Sequence, residues 1–101
     1  MKEFNEIPFH DAAFKNILIN WESKTITFEM IIFINSQNKR ARLYFVTFND
    51  VSHFFMPHHS PWGDSVFINS ASRNGNIYLF NMQSGDTLEI HAAGFKLIPH
   101  E

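Results

Sequence analysis

The chain contains no cysteine. Disulfides and thiolate chemistry are therefore excluded, and the composition suits a reducing compartment. Basic residues are also scarce: eight Lys and Arg stand against ten Asp and Glu, for a formal net charge of −2. A nucleic-acid footprint needs a clustered basic face that displaces phosphate counterions. Here Lys39, Arg40 and Arg42 gather at one hairpin and are not interleaved with aromatics along a groove, which argues against a nucleic-acid partner. The four glycines, Gly63, Gly75, Gly85 and Gly94, are isolated from one another. Each is accounted for by a turn, so no phosphate-cradling loop is present. Long apolar runs are missing. The longest, 30–34, has five residues, far short of the roughly 20 that span a bilayer. The start, Met1-Lys2-Glu3-Phe4-Asn5-Glu6, has no apolar stretch of signal-peptide character. A cytoplasmic protein with no membrane partner is therefore expected.

What the chain does have is aromatic and β-branched mass. Twelve Phe contribute to an aromatic content of 16%, and Val, Ile, Thr, Phe and Tyr dominate the middle, a composition that fits pleated, half-buried surfaces. At 101 residues it is read as a single domain, 1–101, with one core. One short helical turn is expected at 9–13, capped by Asp11. Alternation and turn residues then predict strands at about 14–21, 25–34, 40–48, 51–56, 65–70, 77–82 and 87–93, with a short one at 95–98. Asn74-Gly75 and Ser84-Gly85-Asp86 supply the hairpin turns. The expected fold is mainly β: an antiparallel β-sandwich or partly open barrel of seven to eight short strands.

Two patterns refine that expectation. Ile31 and Phe33 lie opposite Ile32 and Ile34, while Leu43-Tyr44-Phe45-Val46 and Tyr78-Leu79-Phe80 are apolar on both faces. Strands of this kind are covered on both faces. The strand at 30–34 is therefore expected to be central or to lie at a subunit contact, and a homodimer is one way to cover it. In addition, residues 32–45 and 66–80 share Phe-Ile-Asn-Ser followed by a Tyr, at a constant offset of 34 residues. The two hairpins are expected to play similar roles, through convergent hairpin chemistry or a duplication.

The stretch 54–70, FFMPHHSPWGDSVFINS, gathers the residue types of an active site. Its prolines and glycine give a structural account. Pro57 ends a strand, Ser60-Pro61-Trp62-Gly63 fits a type I turn, and Trp62 folds back over an open end of the sheet. Asn69 and Ser70, polar in an apolar strand, suggest a bulge or a tie to a neighbouring loop. Ser60, Ser65, His58, His59 and Asp64 supply the letters of a catalytic triad, but no strand–turn–helix elbow holds them. The carboxylates sit at turns or on polar strand faces rather than as a catalytic pair. No catalytic residue and no cofactor are assigned.

Six histidines remain: His10, His53, His58, His59, His91 and His100. A metal site at His58, His59 and Asp64 would draw one ligand from the histidine pair, because adjacent residues in an extended loop point opposite ways. A further ligand would come from His10 or His53. No zinc spacing such as His-Glu-x-x-His is present, and a solvated histidine pair is the plain alternative. No metal is assigned; the candidate ligands are His10, Asp11, His58, His59 and Asp64. The binding candidates are Trp62, His58, His59 and Asp64.

The segments FHDAAFKNILINWESKTITFEM (9–30), PWGDSVFINS (61–70) and MQSGDTLEIHA (82–92) resemble a group of small bacterial β-rich proteins. That group is marked by a His-Asp-Ala or His-Asp-Ser opening, a Pro-Trp-Gly-x-Ser corner and a Met-x-Ser-Gly-Asp hairpin. The resemblance spans about residues 9–93 and extends to immunity proteins of polymorphic toxin systems, of the immunity protein 50 type. It implies no catalytic activity. The matching residues are His10, Asp11, Trp21, Pro61, Trp62, Gly63, Ser65, Asn69, Ser84, Gly85 and Asp86. The expected function is thus a non-enzymatic protein-binding domain with a toxin as partner; the alternative is a small-molecule or metal-binding domain using the His58-His59-Asp64 loop.

Overall fold

The computed structural model describes residues 3–35, 40–56 and 67–99. Among them the chain forms a 3-10 turn, Phe4–Glu6, and eight strands: β1 Ala13–Asn20, β2 Thr25–Asn35, β3 Arg40–Asn49, β4 His53–Phe55, β5 Ile68–Asn74, β6 Ile77–Met82, β7 Thr87–His91 and β8 Gly94–Pro99. They make two four-stranded antiparallel sheets, ordered β1-β2-β3-β8 and β4-β7-β6-β5. The fold is a β-sandwich and not a closed barrel. At one flank an isolated bridge between Ala13 and Phe67 stitches the sheets together, and the Ile68 amide donates to the Ala12 carbonyl. No helix among the described residues is long and apolar enough to cross a membrane.

Period-two alternation decides which side chains go inside. Ile26, Phe28, Met30 and Ile32 of β2, Tyr44, Val46 and Phe48 of β3, Tyr78, Phe80 and Met82 of β6, and Leu88 and Ile90 of β7 are all buried. Their rings interlock mainly edge to face, the arrangement that the aromatic quadrupole favours. Phe80 meets Phe28 at 5.5 Å between centroids, Phe9 at 5.4 Å and Phe14 at 5.9 Å. Phe28 in turn meets Phe48 at 5.5 Å. β2 is an interior strand of its sheet, while its outer face stays partly open, with Phe33 exposed. On its outer face the Thr27 and Thr47 hydroxyls pair across strands at 3.0 Å, and Asn16 donates to Glu29 at 2.8 Å. Ile31 and Leu43 are half-buried neighbours on that same face.

The sheets are joined by a ribbon that folds over. β3 pairs with β8 in the first sheet, and β4 pairs with β7 in the second. The chain therefore changes sheets twice at one corner, over 49–53 and 91–94. Sandwich corners need strands that bend. Asp50 supplies one bend with φ of 50°, a left-handed conformation that Asp tolerates better than most residues. Backbone bonds fix the corner: Val51 N–H donates to Lys24 O, Ser52 N–H to His91 O, and Ala93 N–H to Asn49 O. This is why β4 is shorter than the predicted 51–56.

Other boundaries moved for local reasons. The helical turn lies at Phe4–Glu6 and not at 9–13. The Glu6 carboxylate accepts from the Glu3 N–H, while Asp11 takes φ of 66° and starts no helix. Phe4 is buried between Phe95 of β8, at 5.2 Å, and Tyr78 of β6, at 4.9 Å, so the turn plugs one flank of the sandwich. Asn5 holds it there through paired bonds with the Arg73 backbone. The predicted 65–70 strand begins outside the described residues, and its described part runs on to Asn74. A register shift between Ile68 and Ser70 marks the expected bulge at Asn69. In the next hairpin the loop residues are Gly75 and Asn76, with Gly75 at φ of 63°, so the left-handed residue comes first, as in a type II′ turn. The two echo hairpins agree in burying Tyr44 and Tyr78, but β2 is interior whereas β5 is an edge. The type I turn at 60–63 and the Trp62 lid lie outside the described residues.

Two substitutions test this packing. Phe80→Ala removes the ring at the centre of the aromatic cluster and is expected to cost about 3–5 kcal/mol in chemical denaturation, a large share of the ~5–15 kcal/mol of a typical domain. Tyr78 is different. Its hydroxyl is buried with no hydrogen-bond partner among the described residues. Burial pushes its pKa above the usual 10, the nearby Arg73 charge opposing and Glu3 adding a little. An unpaired buried hydroxyl costs about 1–3 kcal/mol. Tyr78→Phe is therefore expected to hold or raise the denaturation midpoint, and a loss of about 2 kcal/mol would contradict the orphaned hydroxyl.

Candidate functional site

The corner that joins the sheets also builds a polar cluster. On β7, Leu88 and Ile90 point into the core, so Glu89 and His91 project from the outer face. On β4, Phe54 leans inward beside the core while His53 and Phe55 face out. His53 is the cross-strand partner of His91, and residues so paired have neighbouring side chains. The two imidazoles lie 4.7 Å apart between centroids. Glu89 Oε2 sits 2.6 Å from His91 Nε2 and 3.9 Å from His53 Nε2. The shorter contact is a charge-assisted hydrogen bond, with the imidazole donating. One ligand-capable atom from each of the three residues lies within 4.8 Å of the others. The side chains are partly solvent-accessible, at 50% for His53, 40% for Glu89 and 33% for His91.

A cleft opens beside this cluster, where the end of β1 and the β1–β2 turn meet residues 51–54. Its volume is about 270 Å³, and Ile19, Trp21, Lys24, Val51, His53 and Phe54 contribute to its lining. That is slightly below the ~300–1,000 Å³ of pockets that enclose drug-sized ligands, and better matched to one or two side chains. Trp21 is 88% exposed and Ile19 50% exposed. Lys24 turns the chain with φ of 55°, and Ser23 N–H donates to the Asn20 side chain within the same turn. His53 belongs to both features.

The residues singled out in the sequence fall into two groups. His10 and Asp11 are ties between segments. His10 Nδ1 donates to the Asn69 carbonyl at 2.8 Å and its Nε2 lies 3.5 Å from the Asp11 carboxylate. Asp11 accepts from Gln83 Nε2 at 2.6 Å, and its amide donates to Ile68 O. Together they fasten the N-terminal segment to β5 and to the β6–β7 turn. In that turn Ser84 Oγ donates to Asp86, and Gly85 takes φ of 98°. Trp62, His58, His59 and Asp64 lie outside the described residues. The sequence carries no ligand signature at Glu89 and His91, and His53 enters there only as a third partner for His58, His59 and Asp64. The available signal was Glu-Ile-His at 89–91, two polar groups on one face of a strand with an inward Ile between them.

Comparison with protein-family models, with curated proteins and with solved structures finds no match to this chain.

The ties at Asp11 give a direct test. Asp11→Ala loses the Gln83 bond and places a Cβ residue without a compensating side chain at positive φ. It is expected to cost about 1–2 kcal/mol in urea denaturation. Asp11→Gly loses the same bond without the φ penalty, and is expected to be the milder of the two.

Proposed function

We propose that this protein is a non-enzymatic protein-binding domain of the bacterial cytoplasm, and that its partner surface is the end of β1 with the β1–β2 turn. The exposure of Trp21 beside an apolar cleft carries the reading. Single exposed apolar side chains are ordinary, but Leu18 at 61%, Ile19 at 50% and Trp21 at 88% follow one another within four residues. Trp is among the residues most enriched at interface hot spots, where an aromatic anchor sits in or beside a pocket and charged groups form the rim. Glu22 and Lys24, both exposed, are placed as such a rim.

The strand itself adds to this. β1 is the edge of its sheet, and natural edges are guarded by charges and bulges. The bulge between Phe14 and Asn16, with exposed Lys15, guards the first half of β1. The half running from Leu18 to Trp21 carries no charged side chain until Glu22. A partner strand or an inserted side chain would be received there. The resemblance to immunity proteins of toxin systems makes a toxin the proposed partner, neutralised by surface complementarity without chemistry.

The test pairs the protein with the product of a toxin gene adjoining its own, and the lack of any such gene would contradict the proposal. Wild-type protein is expected to protect cells from that toxin and to bind it in purified form, and Trp21→Ala is expected to weaken binding by about 30-fold or more, the scale of a hot spot. The melting temperature should barely change, because the Trp21 side chain is almost fully exposed. Equal binding by wild type and Trp21→Ala, or no binding to that toxin, would contradict the proposal.

A further inference from the structure

We infer that His53, Glu89 and His91 form a binding site for a first-row divalent metal ion, with zinc as the occupant. The donor set is two imidazole nitrogens and one carboxylate oxygen. Three-residue sets of this composition hold zinc with at least one coordination position open. The set contains no thiolate, which disfavours copper(I) and iron–sulfur clusters, and it has too few oxygens for magnesium or calcium.

The geometry asks for small movements. Ligand bonds of ~2.0–2.2 Å in a tetrahedral arrangement place donor atoms about 3.4 Å apart. Glu89 Oε2 is now 2.6 Å from His91 Nε2 and 3.9 Å from His53 Nε2. The first distance must open and the second must close, each by less than ~1 Å, which partly exposed side chains accommodate by small torsional changes. The backbone has already done the larger part. Glu89 and His91 share one face of β7, and the β4–β7 register sets His53 directly across from His91. Ligands carried on paired strands are positioned more closely than ligands on loops. In the absence of metal, the His91–Glu89 hydrogen bond keeps these two groups together; metal binding replaces it.

The three side chains lie on the outer face of the sheet, so the open position is directed to solvent, where water or a side chain of a bound partner completes the shell. Folding does not depend on the ion, because the core is apolar and complete without it. The inference is independent of the proposed partner surface, although His53 borders both.

The experiment is titration of the untagged protein with ZnCl₂ by isothermal calorimetry, with NiCl₂, CuCl₂ and MgCl₂ in parallel. One equivalent of zinc is expected to bind and to raise the melting temperature. Nickel and copper should bind at the same site and magnesium should not. Loss of an outer-shell partner of a metal already costs ~10–100-fold in affinity, so His53→Ala, Glu89→Gln and His91→Ala should each weaken zinc by at least tenfold. Far-UV circular dichroism checks that these surface variants remain folded. His10→Ala, Trp21→Ala and the His58→Ala/His59→Ala double variant should bind as wild type. Absence of binding by all three transition metals would overturn the site, as would undiminished zinc binding in His53→Ala and His91→Ala. Loss of binding confined to the His58→Ala/His59→Ala variant would place the metal in the 58–64 loop and overturn it equally.

Discussion

The closure of two sheets over one set of aromatic rings is the constraint on which the rest of the molecule depends. Phe28 and Phe48 from one sheet and Tyr78 and Phe80 from the other are fully buried, and Phe4 and Phe9 come in from the N-terminal segment to seal the flank. Each such side chain contributes roughly 1.5–3 kcal/mol by leaving water. Apart from the phenols of Tyr44 and Tyr78, the buried set among the described residues is wholly apolar. Alternation then leaves the neighbouring residues no choice. With Leu88 and Ile90 committed inward, Glu89 and His91 must face out; with Phe54 inward, so must His53. The polar cluster is a consequence of how the core is closed.

The corner turns this consequence into a site. Had the chain after β3 turned back along the same sheet, residues 53–55 would have continued it, and His53 would lie far from His91. Instead the β3–β8 pair bends over into the β4–β7 pair, with Asp50 taking a left-handed conformation and Ser52 and Ala93 bonded across the bend. The same bend sets residues 51–54 against the β1–β2 turn, where Val51 N–H donates to Lys24 O, and the cleft that Trp21 helps to line lies between them. The cleft and the His53–Glu89–His91 cluster are thus neighbours, and His53 belongs to both.

Much of the fold was legible in the residues. Ile77–Met82 is bracketed by turn residues on both sides, so its bounds follow from the sequence alone, and Gly75 and Gly85 occupy positive-φ turn positions as their context implies. The doubly apolar 30–34 segment does lie in an interior strand. What could not be read was non-local. Asn49-Asp50 looks the same whether it links neighbours in one sheet or carries the chain to another, so the pairing of His53 with His91 was hidden. Adjacency in sequence singles out His58 and His59. The histidines that converge are brought together only by register. The position of the helical turn was missed for a smaller reason: Asp11 has the chemistry of a cap but also tolerates the left-handed conformation it adopts here.

The central claim is that β4 lies against β7 and brings His53 to His91. The most direct measurement is a nuclear Overhauser spectrum of the metal-free protein with assigned histidine rings. With ring centroids 4.7 Å apart, the account predicts cross-peaks between the imidazole protons of His53 and His91, and between His53 and the backbone of residues 89–91. Absence of both sets, in a protein whose Phe28–Phe80 contacts are present, would contradict it.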